Sequence, residues 1–177
     1  DREVMNSLHS VGLYFHKFEF NASIYYLVRE LGYVLYGYNI IQTVGWNLAL
    51  LVFVLILAFV RNRIHQSRAE QIKRDHQTIF LEWMWMLFIY LLFTTTLHPW
   101  YISTLLMFSV FTRYRFAAVW SGMIFLTYAG YSQDSFHEVL WLTIIEYLIV
   151  FGFLGYEIWL RRNTLYFPWK NSTMSHR

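Results

Sequence analysis

IFLEWMWMLFIYLLFTTTLHPWYISTLLMFSVFT, residues 79–112, decides the fold class. Two apolar runs meet at His98, Pro99 and Trp100 with nothing else between them. Residues 79–97 number 19, enough to cross about 30 Å of hydrocarbon at ~1.5 Å per residue as a helix. Residues 99–112 number 14 and reach only ~21 Å. Neither run alternates polar with apolar, so both read as helices rather than strands.

The same pattern extends outward. Residues 43–60 and 139–160 form two further spans, and residues 116–130 a second short one. The expectation is therefore an all-α, polytopic transmembrane helix bundle of about five spans. A short apolar helix over 23–36 is expected in the interface near the N-terminus, with Ser23 or Asn21 as its cap. The 177 residues are 57% hydrophobic, 21% aromatic and 14% charged, more apolar surface than a soluble domain of this length hides. There is no cysteine, which excludes disulfides and thiolate metal sites. No basic run reads as a nucleic-acid surface.

The bases fix the expected sidedness. Arg61, Arg63, Arg68, Lys73, Arg74, Arg113, Arg115, Arg161, Arg162, Lys170 and Arg177 fall on one side, 11 of the 14 Lys and Arg. By the positive-inside rule that side is cytoplasmic. Residues 1–42 then form an outer loop with the interfacial helix, 43–160 the five-span region and 161–177 a cytoplasmic tail. The chain starts DREVMNS, with neither an initiator Met nor a signal peptide, so a fragment lacking upstream spans is expected.

Several polar residues stand out in this setting. Pro99 suits the first turn of a helix and His98 stands at its cap position, so the helix start points its free N–H groups outward. That end favours an anion such as phosphate, in an outward cavity if the helix is too short to reach the surface. The alternative is a tight hairpin with Trp100 and Tyr101 in the aromatic belt. Glu19, Asn21 and Arg29 are polar points in an aromatic stretch. They suit a sugar or phosphate site with Arg29 on the phosphate, or a Glu–Arg contact that holds the helix.

Glu146 and Glu157, 11 residues apart, differ by only about 20° around a helix and should both face inward. Glu146 is expected to accept from Tyr or Trp groups between helices, the alternative being a protonated carboxyl near a substrate, and Glu82 and Glu157 to pair with Arg113 and Arg115. Asp134, His137 and Glu138 read as a solvated loop more readily than as a metal site, with Asp134 or Ser135 capping the last span. Asn21-Ala22-Ser23 and Asn171-Ser172-Thr173 match the N-glycosylation acceptor pattern, the second on the cytoplasmic side.

FEFNASIYYLVRELGY (18–33), TTTLHPWY (94–101), FSVFTRYRFAAVWS (108–121) and TIIEYLIV (143–150) together resemble the later half of bacterial polytopic C-type glycosyltransferases. These are mannosyltransferase-like enzymes that use polyprenyl-phosphate sugars. HPWY in a short link is the most specific element. The resemblance implies inverting transfer of a sugar, mannose-like, from the lipid phosphate to a glycan or lipid acceptor at the outer face of the bacterial inner membrane. It implies no cofactor or metal. It also implies a catalytic carboxylate in a first outer loop, which nothing in this chain matches. His98, Arg29, Tyr101, Glu19 and Asn21 are the expected substrate-binding residues, His98 on the departing phosphate. A non-enzymatic membrane subunit or a transporter component is the competing reading.

Overall fold

The computed structural model describes residues 19–69, 75–130 and 139–161. Among them the chain is helical: α1 Ile24–Tyr36, α2 Ile41–Ala69, α3 His76–Phe93, α4 Pro99–Val110, α5 Phe116–Met123, a 3-10 helix Ile124–Gly130 and α6 Leu140–Leu160. No strand occurs in these residues, only one isolated parallel bridge between Phe20 and Thr96. From α2 to α6 each helix packs on its sequence neighbour, and α1 lies against α2 and α3.

Three helices, within Thr43–Ser67, His76–Phe93 and Leu140–Leu160, are long and apolar enough to cross a membrane. α4 has 12 residues, or ~18 Å, and is shorter than the expected 99–112 because Phe111–Arg115 form the turn. The other short segment gains length from its winding. Eight α-helical residues at ~1.5 Å and seven 3-10 residues at ~2.0 Å rise ~26 Å.

α2 departs most from expectation. Its 29 residues rise ~43 Å, past the apolar run that ends at Val60 and on through RNRIHQSRA. These polar residues form helix well and include no Gly or Pro, so hydrophobicity stops but the helix does not. The overrun carries Arg63 to Glu82 of α3, 3.1 Å away. Glu82 thus takes a partner from α2, not Arg113 or Arg115.

Glu157 is also inward, 4% exposed, but it takes backbone rather than guanidinium groups from the RYR link. Its carboxylate accepts the N–H of Arg115 and of Phe116, each at 2.9 Å, and so caps α5 from the neighbouring helix. Arg115 turns its guanidinium the other way, to the carbonyls of Ser109 (3.0 Å) and Thr112 (3.2 Å) at the end of α4. Arg161 pairs with Glu157 at 3.3 Å and lies over the Tyr114 ring. One turn therefore satisfies both helix ends.

The core is built from Met84, Phe88 and Leu91 of α3, Ile102 and Leu105 of α4, Phe116 and Trp120 of α5, and Val150 and Leu154 of α6. Phe88 meets Phe116 and Trp120 edge-on at 5.0 and 5.9 Å, the geometry that aromatic quadrupoles favour. Outer faces keep Leu50, Phe53, Trp141, Ile144 and Leu148 exposed, as suits helices whose surroundings are lipid.

α1 begins after Ser23, but neither Ser23 nor Asn21 caps it through a side chain. It ends at Gly37 (φ 77°), whose N–H returns to the Tyr33 carbonyl. A Cβ has open space there, so only the left-handed backbone is strained by Gly37→Ala. That substitution is expected to cost about 1 kcal/mol, read as a fall in thermal midpoint in detergent. The Asp134, His137 and Glu138 cluster, with the proposed Asp134 or Ser135 cap, lies outside the described residues, as does Asn171.

Candidate functional site at the HPW end of the bundle

Residues 19–23, α1, the 94–98 link and the start of α4 converge at the end opposite the RYR turn. Phe20 is the hinge between them. Its N–H donates to the Thr95 carbonyl at 3.1 Å, and its carbonyl accepts the N–H of Leu97 at 2.7 Å. Thr96 and Leu97 are buried completely beneath this pairing.

His98 occupies the N-cap position of α4 with extended backbone (φ −84°, ψ 151°), because Pro99 starts the helix and bars the residue before it from helical geometry. Its side chain does not cap. The imidazole instead stacks on Trp100 at 4.3 Å and 9°, and on Phe20 at 5.0 Å and 29°, with Tyr101 edge-on at 5.6 Å. The rings cover the faces of the imidazole, and among the described residues its nitrogens have no hydrogen-bond partner. His98 and Tyr101 are half-buried and Trp100 is 59% exposed. Burial holds the His98 imidazole below the usual histidine pKa, so the neutral form is favoured at pH 7.

A charged network lies on the other side of Phe20. Arg29, 8% exposed, pairs with Glu19 at 3.1 Å and Glu30 at 3.1 Å, and lies 4.4 Å from the centre of the Tyr26 ring. Glu19 also accepts from the Asn39 amide at 2.8 Å. The Asn39 carbonyl oxygen takes the Tyr25 hydroxyl and the Ile41 N–H, each at 3.0 Å, and so holds the start of α2. Burial first, then Glu19, pushes the Tyr25 hydroxyl pKa up, which keeps it a donor. Arg29 is thus a clamp between carboxylates. This is the Glu–Arg contact, and a phosphate on Arg29 would compete with two anions already in place.

Asn21 faces inward, toward Glu146. It is fully buried, in the left-handed region at φ 47°, with its amide donating to both Glu146 oxygens at 3.1 and 3.2 Å. Its amide meets Glu146 rather than solvent. Glu146, also fully buried, accepts the Trp120 indole N–H at 2.9 Å, while the Tyr147 hydroxyl donates to the Asn21 carbonyl at 2.8 Å. The expected Trp contact is present, but the Tyr contact goes to backbone. Among the described residues Asn21 Oδ1 has no hydrogen-bond partner.

Of the five expected residues, the structure joins Glu19 to Arg29 and His98 to Tyr101, and Phe20 stands between the two groups. Phe20 and Asn39 were not anticipated. For Asn39 a signal existed, an Asn just before the apolar run of α2, a common cap position. Phe20 had none. In comparisons with known proteins, the chain matches no family model, no curated protein and no solved structure.

Proposed function

We propose that this chain is part of an integral-membrane glycosyltransferase that moves a mannose-like sugar from a polyprenyl-phosphate donor to a glycan or lipid acceptor, with inversion. The observation that carries the reading is His98: an imidazole whose nitrogens have no hydrogen-bond partner among the described residues, fixed by aromatic rings at the start of a helix. A donor phosphate there meets the imidazole N–H and the positive end of α4. As the glycosidic bond breaks, charge grows on the departing lipid phosphate, and both groups stabilise it more than the ground state. Tyr101 supplies a hydroxyl on the same side, and Glu19 a carboxylate able to accept from sugar hydroxyls. The general base belongs to a loop that no motif in this chain matches.

In this reading α2 to α6 cross the bacterial inner membrane five times, with the HPW end outside and the C-terminus in the cytoplasm. The 11 bases on the RYR side support it. α1 then lies in the outer interface with Leu27, Leu31, Val34 and Leu35 turned to lipid.

The test is sugar transfer by membranes carrying the intact protein, offered a panel of polyprenyl-phosphate sugars. Transfer is expected, and His98→Ala should lower it about 100-fold at normal expression. No transfer from any donor would remove the enzyme reading, and wild-type turnover by His98→Ala would reduce His98 to a hairpin residue. A second reading, a non-enzymatic subunit or transporter component, draws on the internal satisfaction of Arg29 and Glu146. Under it the intact protein transfers nothing.

A further inference from the structure

We infer that Glu146 is a positioning residue for the HPW link, acting on His98 through Asn21 and Phe20; its catalytic consequence rests on the glycosyltransferase reading above. Glu146 lies on α6 and, among the described residues, makes no hydrogen bond to the link. It binds the Asn21 amide at 3.1 and 3.2 Å, and the Trp120 indole fixes the carboxylate from the opposite helix. Tyr147, its neighbour on α6, holds the Asn21 carbonyl. Asn21 is thereby gripped at side chain and backbone. The next residue back, Phe20, pairs with Thr95 and Leu97 and stacks on His98. The path has three physical links, and each is a close contact.

The chain spends a good deal to keep this arrangement. Asn21 holds a left-handed backbone, which only Gly, and to a lesser degree Asn or Asp, accepts readily. The carboxylate and amide are both wholly buried, and such groups are costly unless their partners are in place. Residues 19–23 have no helix or sheet of their own to hold them. Glu19 is tied to Arg29 and Asn39, and the two Phe20 backbone bonds and the grip from α6 set the register on the 94–98 link.

Three variants separate this role from a merely structural one. Glu146→Ala deletes the grip. Asn21→Gly cuts it at the other end, yet relaxes the backbone strain and leaves the Trp120–Glu146 bond intact. Glu146→Gln should retain it. The new amide can accept from Trp120, and Asn21 can rotate its unpartnered Oδ1 to receive the other N–H.

The readout uses the absence of cysteine. Thr96→Cys places the sole thiol of this chain at a fully buried position paired with Phe20 across the backbone bridge. Maleimide labelling in intact membranes then reports how often this pairing opens. Glu146→Ala and Asn21→Gly are expected to speed labelling at least about ten-fold, and Glu146→Gln to leave it near the parent rate. Separately, without the thiol, the first two should lower kcat for sugar transfer about ten-fold or more with a smaller change in donor KM. Glu146→Gln should restore kcat.

Labelling at the parent rate in Asn21→Gly would overturn the inference, even if Glu146→Ala does not accumulate. Fast labelling with unchanged kcat would overturn the catalytic consequence. If the intact protein transfers no sugar, the enzyme reading fails, and labelling alone still decides whether Glu146 holds the link.

Discussion

Glu157→Ala is expected to destabilise the protein by about 3 kcal/mol, through a turn far from any proposed substrate. The carboxylate accepts the first two N–H groups of α5, and losing one such cap costs about 1 kcal/mol. The same change strips Arg161, one of whose nitrogens has no partner among the described residues, of its counter-charge. Glu157→Gln keeps an accepting oxygen and should cost about 1 kcal/mol. In detergent, the thermal midpoint should fall by roughly 6–12 °C for alanine and a few degrees for glutamine. An alanine variant as stable as the wild type would show that Arg115, holding the end of α4, suffices for the turn.

A second large effect is expected at His98 and depends on pH. Burial lowers the imidazole pKa, so in the free protein the cation forms only below the ordinary histidine range. Its contribution to stability runs the same way, present above about pH 6.5 and lost as pH falls through the lowered pKa. On the proposed reading a phosphate bound at His98 favours the cation, and donor binding then takes up a proton. KM for a polyprenyl-phosphate donor should therefore fall as pH drops from 7 to 5.5, by about ten-fold, since a charge-assisted bond is roughly twice as strong. His98→Gln should flatten that profile while reducing kcat/KM at every pH. A KM that rises on acidification in the wild type, or an unchanged slope in His98→Gln, would take His98 off the phosphate.

The sequence readings succeeded where the solvent dictates the answer. Lipid demands long apolar helices, so three of the five expected spans, the helices long and apolar enough to cross a membrane, were legible from composition and length. The 11-residue spacing of Glu146 and Glu157 gave their inward face correctly, because helical period needs no partner to be read. Partner identity was harder. Glu82 pairs with Arg63 because α2 outruns its apolar residues, and helix propensity in a polar stretch is a weak signal. The Asn21–Glu146 contact spans 125 positions, and a single sequence carries no register for such a pairing. Arg29 offered both readings from sequence. Glu19 and Glu30 decide it in favour of a clamp.

The burial of Asn21 also bears on how the protein can be produced. Asn21-Ala22-Ser23 satisfies the acceptor pattern of N-glycosylating secretory pathways, yet its amide nitrogen is committed to Glu146. A eukaryotic expression host would meet this segment before the chain from Trp120 to Tyr147 has emerged to cover it. Any glycan added then occupies the nitrogen that the fold needs, and the modified molecules cannot complete the packing at this end. Glycan occupancy at Asn21 would count chains that missed their fold, and Ser23→Ala, which leaves the amide intact, is the change to make before choosing such a host.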